Sequence, residues 1–191
     1  MTEHDRPEPP PPDRKDWTWV LRERCPQCGV AAYEYSLAEV ADLTERAGRD
    51  WVDLLATDDA AHLRTRPRPR TWSPTEYAAH VRDVARVFRT RLDLMLAEAT
   101  PSFPDWDQDA AAIAGDYAAE APAEVATALV AAVGAFAARV REVGPEQEGR
   151  RGVRSNGSEF TVLTLCQYFL HDVLHHLHDV GRPLGPGSRA G

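Results

Sequence analysis

Ser73-Pro74-Thr75-Glu76 is the tightest constraint this sequence places on its fold. A serine that can cap the backbone three residues on, a proline at the first helical position and a glutamate that answers the serine make a helix start. From there Tyr77, His80, Val84, Val87, Phe88, Arg91 and Met95 recur at three- and four-residue steps to about Ala99. That period belongs to an α-helix with one buried face, which needs partners to cover it. Three more segments supply them. Ser36-Leu37-Ala38-Glu39 forms a second capping box, followed by Leu37, Val40, Leu43, Ala47, Trp51, Leu54 and Leu55 in helical phase. A third helix enters at Pro122, carries Val125, Leu129, Val133, Phe136 and Val140, and stops at Gly144-Pro145. A fourth runs from about Thr161 to Val180, with Gly181 in the terminating position. No stretch alternates with period two for long, so the expectation is an all-α four-helix bundle. Residues 66–70 and 101–106 are proline-broken links, the second leading to a short helical turn around 110–113, and 146–158 reads as an exposed polar loop. The longer connections leave room for a helix order other than simple up-and-down.

The segments divide the chain into a proline-rich arm at 1–14, an N-terminal extension with a Cys-x2-Cys at 15–35, a bundle at 36–183 and a tail at 184–191. With 43% hydrophobic and 27% charged residues the chain can build a core. Its net charge of -8 speaks against nucleic acid or an anionic membrane as partner. No uncharged apolar run reaches the roughly 18 residues of a transmembrane helix, and the acidic start MTEHDRPEPPPP lacks the apolar core of a secretory signal. Three cysteines are too few for a disulfide framework, so the expected compartment is the cytoplasm, as monomer or homodimer. Lys15 is the sole lysine, a bias that points to a GC-rich genome.

Histidines carry the functional signal. Four of seven fall within YFLHDVLHHLHDV: His171, His175, His176 and His178. Residues four apart on a helix differ by about 40° and roughly 6 Å of rise, so His171 and His175 can share one metal ion. Thr164 and Tyr168 are read as continuing that face, whereas His176 turns well over 90° from His171. His178 lies near the helix end, where with His176 it reads as a solvated cation interacting with the helix dipole. His80 is phased inward among apolar neighbours, and a core imidazole needs a polar partner or a metal. The expected site is therefore His80, His171 and His175, three neutral ligands with an open position, the pattern of catalytic zinc.

Trp72-Ser73-Pro74 leading through Glu76-Tyr77 to His80, with His171-Asp172 and His175-His176 later, resembles the DinB-like four-helix bundles. The resemblance covers roughly 36–181, and CPQCG, WSPTEYAAHVRDV and YFLHDVLHHLHDV together look like an actinobacterial group within that superfamily. It implies a divalent metal, zinc or nickel, held by one histidine of the second helix and two of the last; carried over, these are again His80, His171 and His175. Some relatives put a carboxylate in place of one histidine. The superfamily includes thiol-dependent maleylpyruvate isomerases and bacillithiol transferases, which implies a small-molecule thiol such as mycothiol and a small electrophile as partners. A metal with a free position can hold a thiolate at neutral pH, leaving the protein to supply metal and pocket. The alternatives are a non-catalytic or stress-linked bundle with a structural metal, and a metal-assisted hydrolase.

Asp83, Asp172 and Asp179 stand where they can fix an imidazole tautomer, and Glu76 is the one inward-leaning carboxylate available as a base. No glycine-rich strand-to-helix loop supports a nucleotide-dependent methyltransferase. Cys25 and Cys28 leave three readings open: a structural turn, a separate metal site completed by other residues, or a redox pair. Cys166 reads as a small core residue, and His4 and His62 are weak extra ligands.

Overall fold

A computed structural model describes residues 16–57 and 59–182; the proline-rich arm, His4 and the C-terminal tail lie outside them. Four long helices carry the fold: α1 (Leu37–Thr57), α3 (Pro74–Ala97), α5 (Pro122–Arg141) and α6 (Val162–Asp179). Between them lie the short α2 (Ala60–Arg64) and α4 (Gln108–Ala114). Three of the four long helices start on a side-chain cap, and α5 starts on Pro122. The Ser36 and Glu39 side chains answer each other's backbones, Ser73 and Glu76 close the expected box behind Pro74, and Thr161 and Thr164 cap α6 reciprocally.

The bundle order is not sequential. α1 and α3 each pack on both α5 and α6 and barely touch one another, so the helices run α1–α5–α3–α6 around the core. Phe169 of α6 fills the centre, its ring 4.0 Å from Phe136 and 5.6 Å from Phe88. Helix α5 is long and apolar enough to cross a membrane by length and composition, although its uncharged stretch, 125–138, stays short of 18 residues. Its large apolar residues Val125, Leu129, Val133, Phe136 and Val140 are buried in the bundle core.

The 146–158 link is not an open loop. It contains β2 (Arg151–Arg154) and leads into β3 (Glu159–Thr161), an antiparallel pair extended by β1 (Ser102–Phe103), which runs parallel to β2. Asn156-Gly157 makes the turn, with Gly157 at φ 91°, a conformation that glycine adopts without a Cβ clash. The hairpin arms are too short for period-two alternation to show. The sheet seats Phe103 and Phe160 on the bundle and ties the α3–α5 link to the start of α6.

The extension is ordered and lies against α6. Val20, Cys25, Cys28 and Val30 are buried there, and Gln167 of α6 donates to the Tyr35 carbonyl at 2.8 Å. Helix α6 therefore has neighbours on nearly every side: α1, α3 and the extension.

Candidate metal centre

Two i,i+4 pairs sit side by side on α6, offset by one residue: His171 with His175, and Asp172 with His176. One residue is about 100° of helix rotation, so the pairs face different neighbours. His171 and His175 meet the extension. His175 Nδ1 lies 3.7 Å from Cys25 Sγ and His171 Nε2 lies 3.7 Å from Cys28 Sγ. All four residues are buried, with donor atoms within 4.8 Å of one another. Asp172 and His176 meet α3 instead, where their donor atoms gather with those of His80 inside the same 4.8 Å limit.

His80, His171 and His175 thus do not form one set. His80 is grouped with Asp172 and His176, and the expected pair is grouped with the cysteines. Both pairs lie on the polar half of α6, about 100° apart, and only the packed neighbours decide that Asp172 and His176 meet α3 while His171 and His175 meet the extension. Thr164 and Tyr168 continue the Asp172–His176 row rather than the His171–His175 row, being spaced at four-residue steps from it. That row is the partly open edge of the helix. His176, expected to point away from any site, belongs to the group around His80.

His80 is fully buried, and Trp72 and Trp106 lie against its ring at centroid distances of 5.2 and 5.6 Å. Its Nε2 is 3.4 Å from Asp172 Oδ1, an ion-pair separation longer than a good hydrogen bond. His176 Nε2 is 3.7 Å from the same oxygen. Neither ring nitrogen of His80, nor Asp172 Oδ1, has a hydrogen-bond partner although all three are enclosed. Leaving such groups unmet costs about 1–3 kcal/mol each; a shared cation meets Asp172 Oδ1 and one of the two His80 nitrogens. The residues therefore fit a divalent metal. Burial lowers the pKa of His80 and so favours the neutral imidazole that ligation requires. Burial alone would raise Asp172, but His176 and His80 beside it outweigh that and hold its pKa at about 2, keeping it a carboxylate.

In the cysteine group, burial pushes the Cys28 thiol up to about 12, helped by the neighbouring Cys25. Burial likewise pulls His171 down to about 4, with His175 adding to the effect, and lowers His175. Gly29 sits at φ 76°, and its N–H donates to the Cys25 carbonyl at 2.8 Å, closing the turn that aims both sulfurs at α6.

A cavity of about 350 Å³ opens over both groups. Its wall includes Trp17 and Gln27 of the extension, Arg70, Trp72, Tyr77, Tyr168, Asp109, and the α6 residues His171, Asp172, His175, His176 and Asp179. Asp179 links the two groups, its Oδ2 at 2.9 Å from His176 Nδ1 and its Oδ1 at 3.7 Å from His175 Nε2. The remaining expected residues do other work. Glu76 is spent on the Ser73 backbone at 2.8 Å and on Arg66 Nε at 2.9 Å, which withdraws it from base duty. Asp83 accepts from the Tyr117 hydroxyl at 2.6 Å and from Arg82 at 2.9 Å, away from the His80 ring nitrogens. Cys166 is a buried core residue, and His62 is exposed on α2.

Fold and site together define a helical bundle with a histidine–carboxylate centre at the floor of a cavity. The chain matches the DinB superfamily over residues 43–180 and belongs to that superfamily. Among solved structures it is similar to YfiT from Bacillus subtilis, described as "a probable metal-dependent hydrolase with an unusual four-helix bundle topology". That similarity has a TM-score of 0.67 at 20% identity and covers 74% of this chain and 82% of YfiT. A search of curated proteins finds no match.

Proposed function

We propose that the protein is a metal-dependent enzyme that adds a low-molecular-weight thiol to a small electrophile, with His80, Asp172 and His176 holding one divalent ion. The observation that carries this reading is the enclosed, unbonded ring of His80 facing Asp172 and His176 at the cavity floor. Two imidazoles and a carboxylate suit zinc or nickel. Bound there, such an ion supplies positive charge that favours the ionised form of a thiol or water at neutral pH.

Every other part of the step falls to the chain. Three protein donors leave coordination room on the cavity side, and Asp179 fixes the His176 ring through Nδ1. Trp17 and Trp72 offer flat apolar walls and Arg70 a cation, which suits an electrophile with an apolar body and an anionic group. The thiol gives its proton to solvent, sulfur forms the bond to carbon, and the leaving group departs with its electron pair. The thiol arrives with a co-substrate, because Cys25 and Cys28 face His175 and His171 rather than free solvent. Mycothiol is the thiol this reading puts first.

A hydrolytic reading has one observation in its favour: Asp109 lines the same cavity and offers a carboxylate as general base. The test is turnover by zinc- or nickel-loaded protein of chromogenic electrophiles with and without mycothiol or glutathione, beside ester and amide substrates without thiol. Thiol-dependent conjugation lost in His80→Ala supports transfer. Metal-dependent ester or amide cleavage without thiol assigns hydrolysis instead.

A further inference from the structure

We propose that Cys25, Cys28, His171 and His175 form a second, closed zinc site that clamps the N-terminal extension to α6 and so builds one wall of the cavity. The donor set is two thiols and two imidazoles, a four-ligand combination that zinc binds tetrahedrally. Zn–S bonds of about 2.3 Å and Zn–N bonds of about 2.0 Å at the tetrahedral angle give a sulfur–nitrogen edge of about 3.5 Å. Both observed sulfur–nitrogen separations are 3.7 Å. The four donor atoms lie within 4.8 Å of one another, and all four residues are buried.

The local backbone is shaped for this purpose. Cys25-Pro26-Gln27-Cys28-Gly29 closes on itself through the Gly29 N–H, and the Cys25 N–H donates to the Val30 carbonyl at 2.9 Å. A buried turn of this kind, with two sulfurs pointing at an i,i+4 histidine pair, goes beyond what a structural turn or core packing requires. Zinc here has four protein ligands and no open position, unlike the centre around His80, so its role is to hold the chain. What it holds is useful to the cavity. The Trp17 ring lies 5.9 Å from His171 and 5.2 Å from His175, and Trp17 and Gln27 both line the cavity.

The site is independent of the proposed catalytic centre, and the experiment separates them. Metal content is measured on the purified full chain, on Cys25→Ser/Cys28→Ser and on His80→Ala. The wild type should carry two equivalents of metal, the cysteine variant should lose the one that is zinc, and His80→Ala should lose the other. A cysteine variant with wild-type zinc content overturns the proposal, as does a Cys25–Cys28 disulfide found by mass spectrometry in protein purified under reducing conditions. Should the cysteine variant fail to fold, zinc-edge X-ray absorption of His80→Ala decides the matter. Two sulfur and two nitrogen neighbours are expected there, and a shell of nitrogen and oxygen alone overturns the site. Loss of turnover in His80→Ala bears only on the catalytic reading.

Discussion

Two neighbouring faces of α6 carry the same spacing and opposite surroundings. On one, His171 and His175 face two sulfurs, and all four residues are buried. On the other, Asp172 and His176 face a single histidine and then the cavity. An i,i+4 pair by itself says only that two donors lie one turn apart. The partners brought by the rest of the fold decide whether the pair closes a site or leaves it open. Here α3 brings one ligand and the extension brings two, so one helix serves both a clamp and a reactive centre.

The comparison predicts that adjacent histidines fail differently. His171→Ala removes a ligand from the closed site and should lower stability by about 4 kcal/mol, the range in which loss of a metal falls. Denaturant unfolding of metal-loaded protein checks this, and a loss below about 1 kcal/mol would mean the clamp is not metal-bound. His176→Ala should lower stability less than His171→Ala while turnover falls about a thousandfold, because the open site has fewer protein ligands and several kcal/mol of charge stabilisation leave with its ion. Equal stability losses in the two variants would erase the distinction between the faces.

The sequence made the helices easier to read than the neighbours of α6. Ser73-Pro74-Thr75-Glu76 and Ser36-Leu37-Ala38-Glu39 set helix starts through local chemistry, and both boxes are present in the structure. Which i,i+4 pair of α6 meets His80 was not legible, because Phe169, Leu170, Val173, Leu174 and Leu177 gather on one half of the helix and both pairs share the other. Nor could the cysteines be matched to histidines 143 and 150 residues away, a pairing that only the folded extension creates. A usable signal was nonetheless present. A Cys-x2-Cys lacks two ligands, and His-Asp-x2-His-His offers two offset pairs where a single site needs one. The hairpin was missed for a different reason. Asn156-Gly157 is a strong turn signal, but arms of four and three residues give too short a pattern to register.

Acid should separate the faces next. Burial depresses His171 to about 4 from an ordinary value of 6.5, and His175 is lowered as well. The unfolded chain then binds protons that the metal-free folded chain resists, so stability is intact above about pH 6.5 and falls as pH drops toward 4. A shift of this size corresponds to on the order of 3 kcal/mol for His171. Asp172, held at about 2 against an ordinary 3.8, acts in the same direction but mainly below this window, adding only a small loss as pH nears 4. Metal-free wild type should therefore lose stability over pH 6.5–4, and metal-free His171→Ala should lose markedly less. Identical acid profiles would show that His171 is not buried neutral.

The smallest predicted effect lies where the faces meet. Asp179 contacts His176 through one oxygen and approaches His175 through the other, so it is placed to orient an imidazole in each group. Carboxylates that hold ligating imidazoles are worth about 10- to 100-fold in metal affinity. The 2.9 Å contact to His176 Nδ1 is a hydrogen bond, whereas the 3.7 Å approach to His175 Nε2 is not. Asp179→Asn should accordingly weaken the open site by about tenfold or more and the closed site by much less, since three other ligands still hold that ion. Competition with a chromogenic chelator, read separately in the His80→Ala and Cys25→Ser/Cys28→Ser backgrounds, resolves the two affinities. Equal weakening at both would mean that the longer contact tightens once metal is bound, making Asp179 a mechanical link between clamp and centre.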